Sequence, residues 1–502
     1  MNRTERINKV DLIYTIITIL LLAVGLQFLS GCSTNPATGE PIFSALVSPE
    51  REAQIGKEEH KKIVTHFGVV DNDKLNRYVN EITGRITPFS ERRDVTYTLT
   101  ILDSPVINAF ALPGGYLYLT RGLLALAENE AQVAAVIAHE MGHVTARHSA
   151  QQISHGTLSG IGATVIGILT ESQTAGKVAR LGSELYIKNH SRDHEYEADT
   201  LGIRYLKQAG YPADAMAGFL RQLDRENKEA FGDSDQPVLA TQVQPPEYLS
   251  THPSTDKRVS RADQLAMQAE ASGPNIDLYS EDPYGRTSHL VAIDGMVFGP
   301  SPNQGFVLDS IFVHPPLGFK FELPDGFKME NTPEKVRASG PNNTRVVFDI
   351  DRADRLYAPA IYLGQIWGKS LNFADLHTFV YEGQPAATAV TTLKNNRTIR
   401  LTVIRNKNLF YRFAYTGPFD ITAFDTFDNG YKFALLDQES AAQYKPSRID
   451  IRALKSKNFS WKKLADQMPA PYHGNITLLK RLNGAPTNST QPQDKTIKTI
   501  VR

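Results

Sequence analysis

The sequence predicts a multidomain chain: a mostly α domain with a small β-sheet, then an α/β domain, then a small β-α-α-β domain. Three observations carry this. Helical periodicity dominates residues 48–272, broken by short alternating stretches around 95–103 and 107–120. After a Gly-, Pro-, Ser- and Asp-rich stretch at 273–305, read as a linker, residues 306–443 alternate as strands (FVLDSIFVHPPLGFKFELPDGF, TIRLTVIR, LFYRFAYTG), with a helical region expected near 420–440. From 444 to 502 the pattern runs IDIRALKS, SWKKLADQM, NITLLKRLNG and KTIKTIV, a strand, two helices and a strand. A chain of 502 residues is long enough for two or three such domains, each with its own core.

At the N-terminus Arg3, Arg6 and Lys9 precede an apolar run, Leu12 to Leu29, which ends in Leu29-Ser30-Gly31-Cys32. Residues 1–31 read as a lipoprotein signal peptide, with the Cys32 thiol as the point of lipid attachment. Cys32 is the only cysteine, as suits an oxidising periplasm. The rival reading is an uncleaved anchor, for which about 18 apolar residues are borderline. Either places the bulk of the chain in the periplasm on a membrane. Ser33 after the cysteine resembles outer-membrane sorting, which implies the inner leaflet of a Gram-negative outer membrane. Residues 32–47 read as a tether. At Ser48-Pro49-Glu50-Arg51-Glu52 a capped helix begins, with proline in its first turn and acids near its N-terminus.

The chemistry centres on His139-Glu140-Met141-Gly142-His143 inside the helical run EAQVAAVIAHEMGHVTARHSA. Residues four apart share a helix face, so His139 and His143 can hold one metal ion while Glu140 reaches a water bound to it. The Ala, Val and Ile around the motif make this a buried helix. A buried glutamate between buried histidines is costly unless something binds them. A catalytic zinc takes three protein ligands and a water. Ser191-Arg192-Asp193-His194-Glu195-Tyr196-Glu197-Ala198-Asp199 supplies Glu195 as the third ligand, with Asp199 on the same face to accept the far N–H of a ligating histidine. Glu197 falls on another face and reads as structural or exposed.

These two motifs, with Ile107-Asn108-Ala109-Phe110-Ala111-Leu112-Pro113-Gly114-Gly115, the following Tyr116–Leu124 and Ser250-Thr251-His252-Pro253-Ser254, resemble the gluzincin zinc metallopeptidases of the CaaX-prenyl-protease class, in their soluble bacterial envelope branch. The resemblance spans roughly residues 48–270, about half the chain, and implies a zincin-like fold for 48–272. It implies one Zn²⁺ held by His139, His143 and Glu195, with Glu140 as general base and Asp199 supporting a ligand. It implies that Asn108, Ala109, Phe110 and Ala111 form an edge strand to which extended substrate adds, with unfolded or misfolded envelope polypeptides as substrates and the outer-membrane assembly machinery as a possible partner. In that branch the histidine matching His252 can take the fourth zinc position and hold the enzyme latent. The other reading of His252 is a loop residue before proline. His252, Arg258 and His190 remain open as partners for the oxyanion, and His148 and His155 read as non-ligands.

Several classes are excluded. With Cys32 in the targeting segment there is no thiol protease, and there is no GxSxG motif. Formal net charge is zero, without a basic patch, so nucleic acid is not a partner. Residues 156–169 (GTLSGIGATVIGIL) are too short to span a bilayer and read as a buried helix, or as a lid or membrane-touching segment. The alternating part resembles the PsbP/Mog1 type of α/β sandwich, with His314 and His377 structural. The last part resembles a degenerate LysM module, whose usual Gly-Asp-Thr turn is replaced by Lys457-Asn458-Phe459-Ser460; peptidoglycan is the partner it implies. Two functions follow: a membrane-tethered zinc endopeptidase, or a chaperone-like lipoprotein that binds clients with little proteolysis. An intact Glu140 favours the first, because client binding has no need of a base.

Overall fold

Ser48 starts the first long helix as its sequence suggests: its hydroxyl accepts from Arg51 N, and Pro49, Glu50 and Glu52 fill the first turn of Pro49–Phe67. This computed structural model describes residues 32–44, 47–158, 190–231, 248, 252, 256–271, 281–332, 335–392, 398–417, 432–454, 460–486, 488–490 and 495–502. The signal segment 1–31, residues 159–169 of the apolar stretch, and Lys457, Asn458 and Phe459 of the altered turn lie outside them. The described chain forms two compact units. One holds the described residues up to 231, those from 248 to 294, and 481–484; the other holds those of 295–480 and 485–502.

The first unit is mostly helical. Strands β1 (Cys32–Thr34) and β2 (Pro41–Phe43) pair antiparallel, so the expected tether contains a hairpin. A three-stranded sheet follows: β3 (Thr98–Leu102), β4 (Ala109–Leu112) and β5 (Tyr116–Thr120), in the order β3-β5-β4. The β4–β5 turn uses Gly114 and Gly115 at φ 80° and 92°, which L side chains rarely adopt. It leaves β4 at an edge of the sheet, the position the family resemblance implies. Helices Asp73–Ile86, Arg121–Leu126 and Glu130–Thr145 pack against the sheet; His148–Leu158, Arg192–Gln208 and Ala215–Phe231 pack on Glu130–Thr145, and Asp256–Ala271 packs on Arg192–Gln208. Glu130–Thr145 carries the HExxH motif and is buried along its whole length. That surround, rather than a single apolar face, explains its all-round hydrophobicity.

The stretch 273–305, expected as a linker, includes the helix Arg286–Ile293 with His289, Leu290, Ala292 and Ile293 buried. His289 Nδ1 lies 3.0 Å from Tyr78 Oη on helix Asp73–Ile86. The linker reading followed the polar flanks; the short apolar HLVAI core is what packs.

The second unit is dominated by strands, with less helix than an α/β expectation. β6 (Phe306–Leu308), β7 (Ile311–His314), β8 (Phe319–Glu322) and β16 (Lys432–Leu435) form one antiparallel sheet. β9 (Lys328–Asn331), β10 (Val336–Ser339), β11 (Arg345–Arg352), β12 (Asp375–Tyr381), β13 (Gln384–Thr392), β14 (Thr398–Asn406) and β15 (Leu409–Thr416) form a second, ordered β12-β13-β14-β15-β11-β10-β9. Phe312, Phe319, Phe321, Phe348, Phe413 and Phe433 fill one core. A second core joins Tyr362 and Leu363 to Ala387, Leu401, Val403 and Phe410. Of the helical region expected near 420–440, the described part holds β16 and the short helix Gln438–Ala442. The last segment follows the expected order: β17 (Arg448–Ala453), helices Trp461–Ala465 and Ile476–Leu482, and β18 (Thr496–Val501), with β17 and β18 antiparallel.

His314 closes β7, stacks on Phe319 at 5.6 Å and accepts from Leu317 N through Nδ1 at 3.3 Å. Burial pushes its pKa down to about 4. The neutral ring is therefore favoured in the fold, and its stabilisation is complete above the ordinary histidine pKa of about 6.5 and is lost as pH falls toward 4. In thermal melts the difference in stability between pH 7 and pH 4.5 shrinks in His314→Phe, by about 1–3 kcal/mol.

Candidate metal centre

Two helices build the centre, and small residues let them touch. A Cβ on Gly142 would lie 3.0 Å from Ala198 O and 3.1 Å from Ala198 Cα; one on Gly202 would lie 3.1 Å from His139 N. Helix Glu130–Thr145 thus meets helix Arg192–Gln208 almost backbone to backbone. Ser191 caps the latter, accepting from His194 N, and so sets Glu195 in its first turn beside the two histidines.

Four side chains converge. His139 Nε2 is 3.0 Å from His143 Nε2 and 3.3 Å from His252 Nδ1. Glu195 Oε1 is 3.0 Å from His252 Nδ1 and 3.4 Å from His143 Nε2, and Glu195 Oε2 is 3.5 Å from His139 Nε2. Each is at most 2 % exposed. Nitrogen lone pairs this close repel unless a proton or a cation lies among them. Ligands about 2.0–2.1 Å from a tetrahedral zinc are separated by about 3.3 Å, which is the spacing here. Two imidazoles and a carboxylate are also zinc's preferred donors, so the residues fit the ion. His139, His143 and Glu195 would hold it, and His252 stands at a fourth position.

The surroundings orient these donors. His139 Nδ1 is 2.9 Å from Asp199 Oδ1, which leaves Nε2 for the metal. Burial opposes charge on His139, but Asp199 and Glu195 outweigh it and push its pKa up to about 9 in the absence of metal. Burial also opposes ionisation of Glu195, yet His252, His139 and His143 hold its carboxyl well below the usual range. Arg258 grips both carboxylates: Nε and Nη2 each lie 2.8 Å from an oxygen of Asp199, and Nη1 lies 2.6 Å from Glu195 Oε2. It is thus a carboxylate clamp rather than the oxyanion partner considered from sequence. Glu140 is 1 % exposed, and neither carboxylate oxygen has a hydrogen-bond partner among the described residues; His252 Nε2 comes to 3.5 Å of Oε1. Burial raises its pKa. A buried, unpaired carboxyl beside the ligands is poised to exchange a proton rather than to hold structure.

Other sequence candidates lie nearby. Ala109 and Phe110 are buried in β4 and Ala111 is half-buried, while Asn108, expected in the same strand, is buried just before it; Phe110 stacks on Tyr118 at 4.7 Å. Tyr248 N donates to Ile107 O at 3.2 Å, and the Tyr248 ring stacks on His252 at 4.5 Å. His190 stacks on His143 at 3.9 Å, and its Nδ1 is 3.0 Å from Gln152 Nε2. His155 is exposed. His148, set aside from sequence, lies with its Nδ1 2.7 Å from His143 Nδ1.

Residues 73–266 match Peptidase family M48, a span that contains every residue of this centre. The chain carries an M48 peptidase domain. Its cofactor is zinc, and His139, His143 and Glu195 belong to a buried group able to hold a metal ion. Among similar proteins, the beta-barrel assembly-enhancing protease of Escherichia coli K12 is 28% identical over 286 residues, 55% of this chain and 55% of that protein. The mitochondrial metalloendopeptidase OMA1 of Schizosaccharomyces pombe is 27% identical over 267 residues, 52% of this chain and 74% of that one. The human mitochondrial metalloendopeptidase OMA1 is 29% identical over 184 residues, 35% of this chain and 33% of that one. The chain spans about half the length of the bacterial relatives it matches.

Removing the clamp from the M48 domain strands two buried carboxylates. Arg258→Met lowers the stability of the metal-free protein by about 3–5 kcal/mol in urea titrations. Added zinc recovers part of the loss, because it restores positive charge beside Glu195.

Proposed function

We propose that this protein is a membrane-tethered periplasmic zinc endopeptidase that cleaves unfolded or misassembled envelope polypeptides. The observation that carries the reading is Glu140, buried next to a zinc-type donor set with no hydrogen-bond partner among the described residues. When bound, zinc acidifies water toward a pKa of about 7 and polarises a carbonyl. Glu140 takes the proton from the attacking water and returns it to the leaving amine. Burial raises its pKa, which favours holding the proton between the two halves of that transfer. Asp199 and Arg258 keep His139 and Glu195 in register while the proton moves.

Substrate selection follows from the edge position of β4. An extended chain adds to β4 through backbone hydrogen bonds, with little demand on side chains, which suits unfolded clients. The Tyr248 N to Ile107 O bond supports this, because it uses a backbone acceptor next to that edge. His252 acts as a latch at the fourth ligand position and keeps the site closed until its segment moves.

The lipobox ending at Cys32 supports a lipid anchor on the outer membrane. No helix among the described residues is long and apolar enough to cross a membrane. Similarity to the bacterial beta-barrel assembly-enhancing proteases supports the outer-membrane assembly machinery as a partner. A PsbP/Mog1-like identity for 306–443 rests on the layered sheets, and a LysM-like one for 444–502 on the β-α-α-β order with β17 paired to β18. Peptidoglycan remains the partner the latter implies.

The test is cleavage of reduced casein by the zinc-loaded protein. Glu140→Gln retains zinc but loses at least about 10²–10⁴-fold in rate, chelator abolishes cleavage in the parent, and His252→Ala cleaves faster. No cleavage by the parent or by His252→Ala, with one zinc bound to each, would overturn the peptidase reading in favour of client binding.

A further inference from the structure

The two histidine ligands are supported differently. Asp199 holds His139 directly. His143 Nδ1 instead meets His148 Nδ1 at 2.7 Å, His148 Nε2 meets Glu197 Oε2 at 3.1 Å, and Glu197 Oε1 meets Asn35 Nδ2 at 2.5 Å. Asn35 is 3 % exposed and follows β1 in the N-terminal hairpin.

Hydrogen-bond chemistry gives this chain one polarity. Asn35 Oδ1 already accepts from Ala37 N at 2.9 Å, so the amide turns its Nδ2 toward Glu197. A carboxylate accepts at both oxygens, so His148 donates from Nε2 and is left an acceptor at Nδ1. His143 must then donate from Nδ1, and its Nε2 lone pair faces His139 and Glu195. That is the tautomer a zinc ligand needs.

The hairpin is fastened beside the chain by a separate contact. Arg147, between the end of the active-site helix and His148, adopts φ 59° and is 6 % exposed. Its guanidinium reaches Ser33 Oγ at 2.9 Å, Ser44 Oγ at 3.2 Å and Val47 O at 2.7 Å, as well as Glu52. Three of those acceptors belong to residues 33–47, so undocking this segment would leave the guanidinium with Glu52 alone.

We propose that the N-terminal hairpin is a working part of the metal centre: Asn35, Glu197 and His148 are positioning residues that fix the tautomer and basicity of His143, and the docked hairpin sets zinc affinity. This rests on the zinc reading above, so the test measures metal binding rather than proteolysis. Zinc dissociation constants are measured on the full chain by chelator competition. They are accompanied by the ligand-field spectrum of the cobalt(II) form and by melting of the metal-free protein. Glu197→Gln and His148→Leu each weaken zinc binding 10- to 100-fold. Asn35→Ala weakens it by a smaller factor and alters the cobalt spectrum, with a loss of zinc affinity beyond what its change in metal-free melting accounts for. His148→Asn, which can accept and donate in place of the imidazole, recovers part of the affinity lost in His148→Leu. Thr38→Ala, an exposed change in the same turn, leaves affinity unchanged.

Parent-like zinc affinity in both Asn35→Ala and Glu197→Gln would overturn the relay. So would a loss in Thr38→Ala equal to that in Asn35→Ala, because the hairpin would then act only as packing. A parent that binds no zinc would overturn the metal reading and this one with it.

Discussion

The close approach of the two site helices is the constraint on which the centre depends. Glu195 reaches His139 and His143 only because Gly142 and Gly202 carry no side chain at the crossing and Ala198 carries a small one. A methyl group at Gly142 would press on the Ala198 backbone and widen the separation. Donor atoms 3.0–3.5 Å apart would then no longer share one ion. Helix geometry alone puts His139 and His143 on one face; the third donor needs this contact between segments more than fifty residues apart in sequence.

Burial makes the electrostatics of that contact costly, and the structure offsets the cost in pairs. Arg258 neutralises Asp199 and Glu195 from one side, and the histidines face Glu195 from the other. Glu140 is left out of both pairings. The distinction separates structural from reactive carboxylates without reference to sequence motifs. Asp199 and Glu195 are held ionised by partners, whereas burial drives Glu140 toward its neutral form. A carboxylate that no cation clamps in its ionised form can take up and release a proton between water and a leaving amine more readily than the clamped ones.

What was legible in the sequence follows from the same physics. The four-residue spacings of His139/His143 and Glu195/Asp199 could be read because one helix fixes each pair. The capped start at Ser48, the strand–turn–strand at β4–β5 and the β-α-α-β order of the last segment were equally local. His252 came only from the family resemblance, since nothing in its neighbourhood predicts which helix pair it meets. The positioning roles proposed for His148 and Glu197 are not legible from either helix alone, because each depends on a partner from another segment. The active-site helix ends near Ala146, and the positive φ of Arg147 redirects His148 against His143, so helical projection past that point misleads. Glu197 does lie on a different face from Glu195, and that face looks at His148. The hairpin had a usable signal: Asn35-Pro36-Ala37-Thr38-Gly39 has the composition of a tight turn, but reading residues 32–47 as a tether discounted it.

The proposed latch and the proposed substrate edge are joined through a single short segment. His252 N donates to Tyr248 O at 2.7 Å, Tyr248 N donates to Ile107 O, and the two rings stack. Movement of the segment that carries His252 therefore disturbs a backbone contact next to β4. Conversely, a polypeptide pairing along β4 competes for the acceptor that Tyr248 uses, and displacing Tyr248 removes the stacking surface that holds the His252 ring. On the proposed reading, client binding and exposure of the fourth ligand position are one event. An accidental encounter with a folded protein, which offers no free strand, leaves the centre closed, so a site that reads backbone rather than sequence need not be indiscriminate.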